Sequence, residues 1–182
     1  MDARWIVGLL ALTLTAAVRA ADEGVREMES LEGKKAPAFT LEGSDGRTHS
    51  LKDYAGKRVV IYFYPKDNTP GCTKESCGFR DLNKQIAGLN AVVLGVSKDS
   101  LASHDKFIND FSLPFVLLSD PDTAMMAKYG AWGEKVLYGK TSLGVIRSTV
   151  VVDEAGKVIK HWRKVPKAEA HPQKVLEFLQ GL

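Results

Sequence analysis

Both cysteines of the chain fall in one segment, Pro65-Lys-Asp-Asn-Thr69-Pro-Gly-Cys72-Thr-Lys-Glu-Ser-Cys77, directly after an apolar, strand-like run and at the start of a helix-like one. A thiol in the first turn of a helix sits at the positive end of the helix dipole, beside N–H groups that have no intrahelical partner. Both features favour the thiolate, the nucleophilic form of sulfur. A second cysteine close by can capture whatever the first one forms, so the pattern points to thiol-based redox chemistry. Free cysteine titrates near pH 8.5, and holding one mostly anionic at neutral pH asks for a shift of about two units, roughly 3 kcal/mol. One helix end supplies only part of this. Thr69, three residues before Cys72, and Arg147, within a later apolar strand run, are candidates for the missing donor and fixed positive charge. Pro65 and Pro70 stiffen the loop, while Gly71 lets backbone come close to the reacting atoms. Glu75, on the helical turn that begins at Cys72, either braces Arg147 or simply favours the helix N-terminus; the sequence leaves both open.

Spacing narrows the chemistry. In an ideal helix, residues five apart are separated by ~7.5 Å of rise and ~140° of rotation, which puts their Cα atoms about 8.7 Å apart. A disulfide needs less than about 7 Å. If Cys72 and Cys77 share a helix, at least one turn must unwind before they bond. Such an arrangement suits a cycle in which Cys72 reacts first and Cys77 is released later, and suits a permanent structural disulfide poorly.

The elements that must position these residues follow from the apolar pattern. The β-branched and aromatic run 59–64 reads as a strand, and 72–86 as a helix with Phe79, Leu82 and Ile86 on one face. Strand 90–97, helix 101–111 and strand 115–118 follow, and 121–129 begins like a helix with Pro121 in its first turn. The runs 145–153 and 157–165 flank Glu154-Ala-Gly156, a hairpin turn, and a helix over about 168–179 closes the chain. Upstream, 37–41 reads as a short edge strand before the turn at Gly43-Ser-Asp-Gly46. This order implies an α/β fold, a central mixed sheet flanked by helices, for which a thioredoxin-like architecture is the natural solution. Functional residues then gather where the first long strand hands over to the first long helix.

At 182 residues, with 45% hydrophobic and 26% charged residues, the chain has the composition of one soluble globular domain. A formal charge of +3 is too small and too dispersed to point to nucleic acid. The first twenty residues stand apart: Arg4, an apolar run from Trp5 to Val18, and Arg19-Ala20-Ala21 around a plausible cleavage point. The run is shorter than the ~20 apolar residues of a membrane-spanning helix and reads as a signal peptide, 1–20, rather than a retained anchor. Residues 21–35 read as a polar N-terminal arm, and 36–182 as the domain. The expected location is therefore exported, in a periplasm-like oxidising compartment where a supplied reductant is needed, with no stable membrane association after cleavage. His49, His104, His161 and His171 are scattered without metal-ligand spacing, which favours surface or structural roles. Trp132 and Tyr138 read as packing or loop residues.

The cysteine segment resembles the peroxidatic motif of peroxiredoxins, Pro-x-x-x-Thr-x-x-Cys, matched by Pro65, Thr69 and Cys72. With a cysteine five residues on, it is similar to the bacterioferritin comigratory protein, or peroxiredoxin Q, subfamily. The likeness continues through Phe79-Arg80-Asp81, Gly95-Val96-Ser97-Lys98-Asp99, Trp132-Gly133-Glu134-Lys135, Tyr138-Gly139-Lys140 and Arg147-Ser148-Thr149, over roughly 31–181. The resemblance implies a thioredoxin-like fold and a thiol peroxidase acting on hydrogen peroxide and organic hydroperoxides. It implies Cys72 as the peroxidatic nucleophile and Cys77 as the resolving thiol. Thr69 would orient the peroxide, Arg147 would hold the thiolate and polarise the O–O bond, and Pro65 would shield the pocket. It further implies no metal or organic cofactor, a monomer, and thioredoxin as reductant; for an exported chain, a compartment-specific thioredoxin-like donor takes that place. The chain departs from the subfamily in its export signal and in Val150 and Val151, where a bulkier aromatic is often found. Two other readings compete: an exported thiol-disulfide oxidoreductase, whose usual Cys-x-x-Cys is absent here, and a copper-binding carrier on a thioredoxin-like fold.

Overall fold

The computed structural model describes residues 29–137 and 140–182. The expected signal segment and Tyr138 lie outside them. In chain order the elements are β1 (Thr40–Gly43), β2 (Thr48–Ser50), a 3-10 turn (Leu51–Tyr54), β3 (Arg58–Phe63), α1 (Pro70–Gly88), β4 (Ala91–Ser97), α2 (Leu101–Phe111), β5 (Val116–Ser119), α3 (Ala124–Lys128), β6 (Trp132–Leu137), β7 (Lys140–Val145), β8 (Ser148–Val152), β9 (Val158–Trp162) and α4 (His171–Gln180). Seven strands form one mixed sheet in the order β2-β1-β5-β4-β3-β8-β9, with β3, β4 and β5 parallel and the outer pairs antiparallel.

Alternation along β3 builds two cores. Val60 and Tyr62, with Tyr64 beyond the strand, face Phe79 and Ile86 of α1, Phe107 of α2 and Leu176 of α4. Val59, Ile61 and Phe63 face Met125 and Met126 of α3, with Phe39 and Tyr129. Each such fully buried aliphatic or aromatic side chain contributes roughly 1.5–3 kcal/mol. Two glycines permit close approaches that matter for the site. A Cβ on Gly95 would lie 2.6 Å from Leu117 and 2.7 Å from the Tyr62 hydroxyl, and one on Gly78 would lie 2.8 Å from Pro172. Gly95 thereby makes room for the Tyr62 phenol, and Gly78 lets α4 pack onto α1.

Four expectations need correction. The strand expected at 37–41 is β1, and it lies inside the sheet between β2 and β5; the edge is β2, too short and polar to be read from pattern. The helix expected at 121–129 is the five-residue α3. Pro121 precedes it in a turn with Thr123 left-handed (φ 58°), and the Asp120 carboxylate accepts from the Met125 and Met126 amides at 3.3 and 2.8 Å. The run 145–153 is not one strand. β7 belongs to a separate two-stranded hairpin with β6, β8 enters the main sheet, and Ile146 and Arg147 form the crossing between them. Finally, the end of the expected arm is tied to the β8–β9 hairpin: the Leu31 amide donates to His161 Nδ1 at 3.1 Å, the Gly33 amide donates to the Val158 carbonyl at 2.8 Å, and Lys35 pairs with Lys157.

Candidate active site

The loop joining β3 to α1 carries the motif residues. Pro65 is half-buried at the strand's end, and Asp67, 4% exposed, pins the loop from within. Its carboxylate accepts from the Tyr64 hydroxyl (2.6 Å), the Ser103 hydroxyl (2.8 Å) and His104 Nδ1 (2.9 Å), and its own amide donates to Asp99 (2.8 Å). Burial alone would push the Asp67 carboxyl up, but His104 and the hydroxyls outweigh it and hold it below the ordinary carboxylate range. Asn68 then takes a left-handed turn (φ 55°). Thr69 stands at the helix N-cap, yet its hydroxyl donates to the Lys66 carbonyl at 2.9 Å instead of capping. Its oxygen lone pairs are left to accept a hydrogen bond. The first backbone bond of α1 runs from the Thr73 amide to the Thr69 carbonyl at 2.8 Å, so the amides of Gly71 and Cys72 come before the helical ladder starts.

Cys72 is 1% exposed, and its Sγ accepts from Arg147 Nη2 at 3.2 Å across 75 residues of sequence. The β3–β8 register explains the meeting: Phe63 pairs with Ser148, so the loop leaving β3 and the crossing that enters β8 emerge side by side. The other guanidinium arm, Nη1, donates to Oε2 of Glu75, which is fully buried. Of the two roles open to Glu75, the structure gives it the brace. Its burial lifts the carboxyl from 4.5 to about 7, with Arg147 pulling the other way. Ser76, also fully buried, bonds the Tyr62 hydroxyl at 2.9 Å. Burial holds that phenol well above its ordinary value, with Glu75 and Cys72 adding to the effect against the Ser76 bond.

Cys77 lies half-buried in the same unbroken helix, and both thiols are free. Behind them, His171 bonds the Thr149 hydroxyl at 2.8 Å and meets the rings of Phe79 and Trp162 edge-on. Burial drives its pKa from 6.5 to about 4, so it is neutral in ordinary buffers. Pro65, Thr69 and Cys72 thus lead into the head of α1, Cys72 and Arg147 are in direct contact, and Cys77 stands five residues further along the same helix. Sequence reasoning did not find the Asp67, Tyr64, Ser103 and His104 cluster; its only signal was an acidic residue inside a loop that must be held still. Trp132 is half-buried under the Lys98 ammonium, 4.7 Å from the ring centroid. Among the described residues, no three His, Cys, Asp or Glu side chains are arranged to hold a metal ion.

Residues 32–161 match the AhpC/TSA family. A putative peroxiredoxin Bcp of Helicobacter pylori is 51% identical over 153 residues, covering 84% of this chain and all of the relative. The peroxiredoxin Bcp of Bacillus subtilis is 45% identical over 150 residues, 82% of this chain and 95% of its own. The solved bacterioferritin comigratory protein of Xanthomonas campestris superposes with a TM-score of 0.74 at 41% identity, covering 79% of this chain and 90% of the other. A buried thiol under an arginine at the head of α1, on this sheet and with these relatives, makes the chain a member of the AhpC/TSA family and a peroxidase of the bacterioferritin comigratory, or peroxiredoxin Q, type.

Proposed function

We propose that the chain reduces hydrogen peroxide and organic hydroperoxides through Cys72, resolves the product with Cys77, and is returned to the dithiol by a thioredoxin-like donor. The observation that carries this reading is the 3.2 Å bond from Arg147 to the Cys72 sulfur at the head of a helix that also bears Cys77. The Cys72 thiolate attacks one peroxide oxygen, and the O–O electron pair leaves on the other. Donors fixed at that point stabilise charge that develops only in the transition state. The Arg147 guanidinium faces the sulfur, the Thr69 oxygen is open to accept from the peroxide hydroxyl, and Pro65 limits water. The sulfenic acid formed on Cys72 then condenses with the Cys77 thiol, releasing water.

Continuous helix from Pro70 to Gly88 keeps the two Cα atoms about 8.7 Å apart by ideal geometry, against the ~7 Å limit for a disulfide. Resolution therefore needs the turns bearing Thr73 to Ser76 to open. Rapid mixing of reduced protein with peroxide, followed by mass spectrometry, tests the assignment. Cys72→Ser abolishes peroxide consumption, and Cys77→Ser turns over once and leaves a trappable sulfenic acid. Equal single-turnover rates in the unmodified chain and Cys72→Ser refute it. Insulin reduction outpacing peroxide reduction would instead favour a thiol-disulfide oxidoreductase.

The apolar segment before residue 21 supports export to a periplasm-like compartment with cleavage after Ala20, and the mature enzyme, in this reading, works as a monomer without stable membrane association. The mass of the chain recovered from fractionated cells tests the cleavage, and its sedimentation at working concentration tests the monomer.

A further inference from the structure

A carboxyl group and a sulfur share one guanidinium in this site. Arg147 directs Nη1 to Oε2 of Glu75 and Nη2 to the Cys72 sulfur, and the two acceptors stand one turn apart on the same face of α1. Glu75 is fully buried, and its second oxygen, Oε1, is buried without any hydrogen-bond partner. A carboxylate so placed is a poor anion when a thiolate competes for its only cation, and a proton on the orphan oxygen relieves it. Burial accordingly raises the Glu75 carboxyl to about 7 despite the adjacent Arg147. Besides Cys72 and Arg147, Tyr62 faces it from β3, its phenol held by burial far above neutral. On α4, His171 lies within electrostatic reach of Arg147, and burial pushes it to about 4, with Lys174 and Arg147 adding to the shift. Around neutrality these neighbours from β3 and α4 keep their charge.

We propose that in the reduced enzyme Glu75 stores the proton that the departing peroxide oxygen requires. This rests on Cys72 being the sulfur that attacks peroxide. In that step an S–O bond forms and the O–O bond breaks; sulfur is oxidised by two electrons and the peroxide reduced by two. Sulfur passes from anion to neutral sulfenic acid, so Arg147 loses one of its two anions and Glu75 becomes its sole counterion. The carboxyl then ionises, and its proton neutralises the departing alkoxide or hydroxide. A carboxylic acid, a thiolate and a hydroperoxide become a carboxylate, a sulfenic acid and an alcohol, with the same total charge on both sides. Glu75 acts through the shared guanidinium and the solvent that accompanies peroxide, so it is a positioning and proton-holding residue rather than one that touches substrate.

Proton counting tests this directly. Reduced Cys77→Ser protein, which stops at the sulfenic acid, is mixed with one equivalent of hydrogen peroxide in weak buffer containing an indicator dye. Sulfenic acid is counted as its dimedone adduct, and thiolate by its ultraviolet absorbance. With Glu75 present, net proton uptake is close to zero per sulfenic acid at about pH 6 and rises to about one at about pH 8.5, where the carboxyl has already ionised. In Glu75→Gln, uptake is one at every pH where absorbance shows thiolate. Uptake of one proton at both pH values with Glu75 present overturns the inference, as does a pH-dependent uptake that survives in Glu75→Gln. Failure of dimedone to label Cys72 in any form removes the peroxidatic reading and the inference together, whereas labelling with the wrong proton count removes the inference alone.

Discussion

If Cys77 resolves Cys72 as proposed, removing the Tyr62 hydroxyl should speed that step. The hydroxyl bonds Ser76 at 2.9 Å with both groups fully buried, and Ser76 lies within the stretch that, on the proposed cycle, unwinds before Cys77 reaches Cys72. In the closed helix this bond contributes a net ~1 kcal/mol; in the open form both hydroxyls are hydrated and it contributes almost nothing. In Tyr62→Phe the Ser76 hydroxyl can turn to a carbonyl one turn back in its own helix, which keeps the loss near ~1 kcal/mol instead of the larger penalty of an orphaned group. The opening equilibrium then rises about fivefold, since 1.4 kcal/mol corresponds to a factor of ten. With opening and closing fast relative to sulfur chemistry, disulfide formation accelerates by the same factor. The assay is a peroxide pulse to reduced protein, with samples quenched by alkylation and the sulfenic acid to disulfide step read by mass spectrometry. Ser76→Ala should accelerate the step to a similar degree, and the double variant no further. A well-folded Tyr62→Phe protein whose disulfide step is unchanged or slower would refute the reasoning, because the bond would then not lie on the opening coordinate.

In the reduced protein, Glu75 makes opening of this stretch pH-dependent. Its carboxyl is raised from 4.5 to about 7 by burial, so its stabilising contribution is fully present below about pH 4.5 and is lost as pH rises through 7, a change on the order of 3 kcal/mol. Amide exchange at residues 73–77, corrected for intrinsic rates, should be more protected at pH 5 than at pH 8, and Glu75→Gln should erase the difference. Arg147→Gln leaves the buried Glu75 carboxylate unpaired and should lower stability at pH 8 by up to about 3–5 kcal/mol; adding Glu75→Gln should restore thermal stability but not peroxide reactivity. Asp67→Asn replaces an anion that accepts three side-chain bonds and should cost about 1–3 kcal/mol at neutral pH. Because the Asp67 carboxyl is held low, its contribution is present above its unfolded value and fades as pH falls, so denaturation curves of the two proteins should converge toward pH 3. Gly95→Ala, whose new methyl would sit 2.6 Å from Leu117, should destabilise by roughly 1–3 kcal/mol in a urea titration.

Local signals carried much of the fold. The continuous apolar runs of β3 and β4 and the punctuation at Pro70 and Gly156 are written in adjacent residues, and these elements lie close to where pattern places them. Pattern failed where pairing partners decide. The 145–153 run is uniformly strand-like, yet it divides because β7 pairs with β6 and β8 with β3, a choice made by distant residues. Cys72, Cys77, Thr69 and Pro65 could be read together because one loop and one helix carry them. Arg147 could be suspected from its family-like context, but its bond to sulfur spans 75 residues of sequence and depends on the pairing of β8 with β3. The Asp67 and His104 pair links a loop to a helix whose contact no periodicity encodes.

The antiparallel docking of β8 beside β3 also bears on how the enzyme comes into being. On a growing chain, Cys72 is made long before Arg147, and until the later strand arrives the sulfur has no guanidinium beside it. Long-range strand pairing is slow to close because the intervening chain must surrender its freedom first. On the proposed chemistry, oxidant sensitivity at Cys72 is born only with completed assembly, and its kinetics during refolding would timestamp the moment the central strands lock.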